Sequence, residues 1–169
     1  MDERKLIEAI RARDDHDAFR QLVDLYATRV HGLVASILGP FTDLDAENVA
    51  QEVFMKVYLR LSQFRGDSAF GSWVYAIAYR TALEARRGAR IRLPHVELED
   101  SGGTVDHDAR LMVATAMEKL PDMYRTALSL HYWLGMSVDE MAGLLNVPTG
   151  TVKSYLSRAR ERMRRALDS

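Results

Sequence analysis

Six residues between Thr149 and Arg165 are basic (Lys153, Arg158, Arg160, Arg162, Arg164, Arg165) and one, Glu161, is acidic. Cations in such a row neutralise phosphates, and hydroxyls set among them hydrogen-bond to base edges. At 3.6 residues per turn Lys153, Ser157, Arg160 and Arg164 share one sector, with Ser154, Arg158 and Arg165 beside it. The apolar stripe Val152, Leu156, Ala159, Met163 and Ala166 lies on the other side. The chemistry implied is binding to the major groove of duplex DNA, although a solvated basic helix, or one that lies on acidic lipid or protein, fits the same residues. A second grouping is Trp73, Tyr75 and Tyr79, followed by Arg80, Arg86, Arg87, Arg90 and Arg92. Flat rings for unstacked bases and cations for the backbone are what a nucleic-acid single strand needs. A tryptophan packed in a core and a solvated arginine-rich helix end fit the same residues.

No catalytic constellation can be assembled. The five histidines are scattered, no HExxH spacing occurs, and no glycine-rich loop is placed to cradle a phosphate. Two Asp-His-Asp triplets, at Asp15–Asp17 and Asp106–Asp108, fall at expected helix starts, where acids favour the helix dipole. The absence of cysteine excludes disulfides, thiol catalysis and cysteine-ligated zinc. No metal, cofactor or catalytic residue is expected.

The elements that must position these side chains read as helices throughout. Ser137 and Glu140 have the spacing of a capping box, and Val138, Met141, Ala142 and Leu145 form one stripe behind it. Asn146-Val147-Pro148 ends that helix, and Thr149 is placed to cap the basic one. Two short helices joined by a tight turn, the second basic, make a helix-turn-helix.

Upstream, a helix is expected over Asp2–Arg13, and a second, capped by Asp17, to about Leu38. The third starts near Asp43 or Asp45 and carries Val49, Val53, Phe54, Val57 and Leu61. The fourth, capped by Ser68, runs from about Ala69 to Arg90. Gly39-Pro40 and the segment Phe64–Ser68 separate them. Downstream, Asp108 caps a helix with Leu111, Ala114, Met117 and Leu120 inward, and Pro121 restarts the chain toward Leu134-Gly135.

Charge divides the chain. Residues 1–92 carry a balance of +1, residues 93–109 carry −5 with no lysine or arginine, and residues 110–169 carry +3. Pro94, Gly102 and Gly103 interrupt the acidic strip, which reads as a linker. The expected fold is all-α: two small helical bundles, 1–92 and 109–169, joined by a flexible acidic linker, 93–108, with the helix-turn-helix in the second. No apolar run approaches the roughly 20 residues that span a bilayer, and the charged start is no signal peptide, so a cytoplasmic protein is expected.

Three motifs in this order resemble those of bacterial RNA polymerase sigma factors of the extracytoplasmic function group, in their minimal two-domain form. Asp45–Tyr58 (DAENVAQEVFMKVY) looks like the polymerase-binding helix. Phe64-Arg65-Gly66-Asp67-Ser68 with Phe70, Trp73, Tyr75 and Ile77-Ala78 looks like the −10 loop and helix. Gly150–Ser154 with Arg158-Ala159-Arg160 looks like the −35 recognition helix.

The resemblance implies a promoter-specificity subunit rather than an enzyme. Its partners would be core RNA polymerase (the β′ clamp helices and the β flap), promoter DNA both duplex and single-stranded, and an anti-sigma factor, with no membrane insertion. Asp45, Gln51, Glu52 and Lys56 would meet the polymerase. Phe64, Arg65, Asp67, Ser68, Trp73, Tyr75, Tyr79, Arg80 and Arg87 would meet the −10 strand. Thr149, Thr151, Lys153, Ser154, Ser157, Arg158 and Arg160 would meet the −35 duplex. Arg80 departs from the asparagine often found there: an amide donates and accepts, a guanidinium only donates, so the −10 preference is expected to differ. The main competing class is a helix-turn-helix regulator in which residues 1–92 sense or dimerise; it would need neither an exposed Gln51-Glu52 face nor an arginine-aromatic helix. A second is a small helical enzyme, marked by turnover dependent on His16 or His107.

Overall fold

The computed structural model describes residues 2–39, 44–89 and 105–168. The described residues contain eight α-helices and no strand: α1 (Glu3–Arg13), α2 (His16–Leu38), α3 (Ala46–Arg60), α4 (Phe70–Gly88), α5 (Val105–Glu118), α6 (Asp122–Leu128), α7 (Val138–Leu145) and α8 (Thr149–Leu167). They form two compact units, α1–α4 and α5–α8. The all-α expectation holds. Residues 93–104 of the expected linker and the alternative cap Asp43 lie outside the described residues, and 105–108 belong to α5.

In the first unit α2 is central and packs against α1, α3 and α4. The reason lies in its stripe: Leu22, Val30, Leu33, Val34 and Ile37 are almost wholly buried, opposite Leu6, Ile7 and Ile10 of α1, Val53 and Val57 of α3, and Val74 and Ala78 of α4. Each such valine or leucine contributes about 1.5–3 kcal/mol relative to exposure. Polar ties add register: the Tyr26 hydroxyl donates to Glu3 and the Tyr58 hydroxyl to Asp14, so α1 is held to both α2 and α3. Burial and the Glu3 carboxylate push the Tyr26 phenol above its ordinary pKa.

In the second unit α8 packs against α5, α6 and α7. Val152, Leu156 and Ala159 face inward, with Leu130, Met136 and Met141 also buried. Between α6 and α7 the chain forms a π-helical turn, Ser129–Trp133, in which the Leu134 N–H reaches Ser129 O at 3.1 Å. The added residue per turn leaves Ser129 and Leu130 buried and turns Tyr132 and Trp133 out to solvent.

Several helix ends differ from the sequence reading. Asp45 does cap α3, accepting from Glu47 N at 2.9 Å. At α2 the N–H of Ala18 goes to Asp15 Oδ1 at 2.9 Å, so Asp15 has the role expected of Asp17, which instead pairs with Arg20 at 3.2 Å. Ser68 does not cap α4; the helix opens at Phe70 behind Ala69, without a side-chain cap. Thr149 is the first residue of α8 rather than its cap, because Pro148 occupies the capping position and its fixed φ of −60° leads straight into the helix. Likewise α5 begins at Val105, three residues before Asp108, and of its expected inward stripe Leu120 is buried and Met117 half-buried, whereas Leu111 and Ala114 are exposed and Ala116 faces the core instead.

Candidate nucleic-acid interface

The helix-turn-helix is built as its residues dictate. Ser137 Oγ accepts from Glu140 N at 3.1 Å, and Glu140 Oε2 accepts from Ser137 N at 2.8 Å, which completes the capping box. Asn146 takes a left-handed φ of 55° and sends its N–H to Ala142 O, ending α7. Ser137→Ala is expected to destabilise the second unit by about 1 kcal/mol. Thermal melting of the full chain measures it, and an unchanged melt would mean that water replaces the box at no cost.

On α8 the six cations separate into two sets. Arg160 donates to the Tyr132 hydroxyl at 3.2 Å, Arg162 lies over the Tyr124 ring at 5.5 Å, and Arg165 pairs with Glu161. Lys153, Arg158 and Arg164 are exposed and make no ion pair among the described residues. With them are exposed Thr149, Ser154 and Ser157 and partly exposed Thr151. The face expected to meet duplex DNA is therefore present, and its unengaged charge is concentrated in those three side chains. Arg160 is held toward the π turn.

In the first unit the segment after the 3₁₀ turn, Leu61–Gln63, carries the other expected contacts. Arg65, Asp67 and Ser68 are exposed around Gly66, whose φ of 81° suits glycine. Behind them Phe64, Phe70 and Trp73 form one ring cluster, with centroids 5.1–5.5 Å apart. Trp73 is partly exposed, whereas Phe70 is buried. Tyr75 is the correction: it is only 4% exposed and packs edge-on to Tyr26 at 6.0 Å. Two residues beyond Trp73 on a helix, it points into the core and offers no platform to a base. Tyr79 is half-buried, and Arg80 and Arg87 are exposed with no ion pair among the described residues. Arg86, on the α2 side, is engaged with Ile37 O at 3.0 Å.

The expected polymerase face lies on α3, where Gln51 and Glu52 are exposed. The structure adds Met55 and Leu59, 63% and 69% exposed, which the sequence reading missed. They fall out of phase with the Val49–Val53–Val57 stripe, and that was the available signal. Lys56 behaves differently from the expectation of a free contact. Its Nζ bridges Glu52 at 2.9 Å and Glu84 of α4 at 3.2 Å, with Thr81 Oγ1 at 3.3 Å. The hydrogen bond that it donates to Glu52 holds the ammonium above the ordinary lysine pKa. Lys56 ties α3 to α4.

Asp15 and Asp17, from the first Asp-His-Asp triplet, are occupied with backbone and Arg20, as above. The side chains of the second lie outside the described residues. No group of side chains arranged to hold a metal ion, and no helix long and apolar enough to cross a membrane, occurs among the described residues.

An accessible cationic row on a helix-turn-helix, and an arginine-aromatic face on a separate helical unit, have the chemistry of a nucleic-acid-binding protein. Comparison with known families finds two matching regions. Residues 22–91 match sigma-70 region 2, and residues 110–163 match sigma-70 region 4. The chain is 34% identical to the RNA polymerase sigma-H factor of Pseudomonas aeruginosa, over 98% of its length and 93% of that protein's. It is 34% identical to the ECF RNA polymerase sigma-E factor of Escherichia coli, over 92% and 89%. Among solved structures, CnrH in complex with the cytosolic domain of CnrY superposes with a TM-score of 0.71 at 24% identity, covering 99% of this chain and 98% of that one. The sigma factor RpoE of Bartonella quintana, in complex with the anti-sigma factor NepR, gives 0.70 at 22%, covering 89% and 96%. The chain belongs to the sigma-70 family, in its extracytoplasmic function (ECF) group. By family it is a transcription initiation factor and not an enzyme.

Proposed function

We propose that this sigma factor docks on core RNA polymerase through the exposed side of α3, around Gln51, Glu52, Met55 and Leu59. Through α8 it binds the −35 duplex with Lys153, Ser154, Ser157 and Arg158. Through the 64–68 loop, Trp73, Arg80 and Arg87 it holds the opened −10 strand. The functional division is 1–92 for polymerase and −10, 93–108 as linker, and 109–169 for −35. The observation that carries this reading is the separation on α8 between cations engaged within the fold and the unengaged row of Lys153, Arg158 and Arg164. A cytoplasmic location follows from the reading, because polymerase and promoter are there. That the solved neighbours CnrH and RpoE are bound to partner proteins, NepR being named an anti-sigma factor, supports an anti-sigma partner here.

The test is to mix the purified chain with bacterial core polymerase and follow co-elution and transcript initiation on genomic fragments. Stable association with new start sites is expected. Duplex binding without polymerase association would replace this reading with an ordinary helix-turn-helix regulator.

A further inference from the structure

Within that reading of the 64–68 loop as the strand-binding loop, we propose that Arg11 of α1 is its positioning residue. The region that matches sigma-70 region 2 begins at residue 22, so α1 lies ahead of it. Yet Arg11 reaches fifty residues along the chain: Nε and Nη2 donate to Leu61 O at 3.3 and 2.9 Å, and Nη2 also donates to Phe64 O. The guanidinium carbon stands 5.9 Å from the Phe64 ring centroid.

These carbonyls belong to the turn that ends α3: Leu61 O also accepts from Phe64 N at 3.2 Å, and Phe64 O follows the turn directly. A guanidinium fork serves two carbonyls at once and covers a ring face, which an ammonium on a flexible stem does not. Fixing Phe64 fixes the loop at its entry, because that ring abuts both Phe70 and Trp73. The exit is fixed by burial of Phe70. Between the two, residues 65–69 are exposed and are anchored by neither core packing nor a side-chain bond to another element among the described residues.

Arg11 is itself well founded. Leu6, Ile7 and Ile10 are buried, and the bonds Tyr26–Glu3 and Tyr58–Asp14 secure both ends of α1. The guanidinium is engaged with the loop backbone, so its contribution to strand binding is preorganisation: the loop does not have to be ordered when the strand arrives.

The experiment uses the full chain carrying Trp133→Phe, so that Trp73 is the one tryptophan, and a short fluorescein-labelled mixed-sequence DNA single strand. Arg11→Met is expected to weaken binding about fivefold through lost preorganisation. The slope of log K against log salt is expected to stay unchanged, since no phosphate contact is removed. Trp73 emission should shift to the red as its ring cluster loosens. Arg11→Lys, which keeps the charge and most of the packing, should not restore affinity. Unchanged affinity in Arg11→Met would overturn the proposal. So would a slope reduced by about 0.7, which would make Arg11 itself a phosphate contact, or full rescue by lysine. If the parent chain binds no single strand, the strand-binding reading itself falls, and the positioning role with it.

Discussion

Replacing Lys153 and Arg158 together with alanine is expected to lower affinity for a −35 duplex by about a hundredfold at roughly 0.1 M salt. Each phosphate neutralised on duplex DNA contributes a slope of about 0.9 in log K against log salt, close to one decade at that concentration. Both side chains are exposed, and neither is ion-paired among the described residues, so their full charge is available to DNA. The comparison variant is Arg162→Ala with Arg165→Ala, which removes the same formal charge from the same helix. Its two arginines are engaged with Tyr124 and Glu161, and the expected loss is about threefold at most, in keeping with how little exposed charge pairs contribute. Titration of a duplex taken from a start site found with polymerase, at several salt concentrations, measures both variants. Equal losses would mean that α8 acts as an undifferentiated cationic rod and that position along it carries no information.

Trp73→Ala is the second large effect. One base stacked on an aromatic ring is worth about 1–3 kcal/mol by alanine substitution, so a −10 strand should bind roughly 5-fold to 150-fold more weakly. The tryptophan also packs on Phe64 and Phe70 at 5.5 Å, so its loss disturbs the cluster as well as the platform. Trp73→Phe separates the two contributions: it keeps an aromatic ring in the cluster but presents less flat surface, and should fall between wild type and alanine. Strand binding by anisotropy, read beside thermal melting, decides. Wild-type affinity in the alanine variant would show that the ring serves packing alone.

How far the sequence carried this reading depends on which forces set each feature. The capping box at Ser137 and Glu140, the αL end at Asn146 and the inner stripe of α8 were legible because each is local: a cap, a turn residue and a 3.6 period are properties of neighbours in the chain. The π turn at Ser129–Trp133 was not. Whether a helix takes one extra residue is decided by burying Leu130 and Met136 together, and no local signal encodes that choice. The caps assigned to Ser68 and Thr149 failed for a related reason. Serine and threonine favour the position, but where α4 and α8 begin was fixed by Phe70 entering the core and by Pro148 presetting its own φ. Tyr75 and Trp73 looked alike in the sequence, being two aromatics on one basic helix. Two residues are about 200° of helical rotation, which turned one ring into the core and left the other at its edge. Arg11 and Lys56 show the remaining gap. Their roles are long-range hydrogen bonds, to Leu61 and Phe64 in one case and to Glu84 in the other, and a charged residue on an amphipathic helix gives no sign of which distant carbonyl or carboxylate it will find.

The bridge from Lys56 to Glu84 has an electrostatic consequence for the opened strand. Glu84 stands four residues after Arg80 and three before Arg87, the spacings at which a helical carboxylate pairs with an arginine and cancels it. Because a cation from a neighbouring helix already holds that carboxylate at 3.2 Å, the two arginines keep their charge. The ammonium is shared with Glu52, so the gain is one of geometry: the carboxylate is drawn toward α3, and an approaching polyanion finds both guanidinium groups without an ion-pair partner among the described residues of α4.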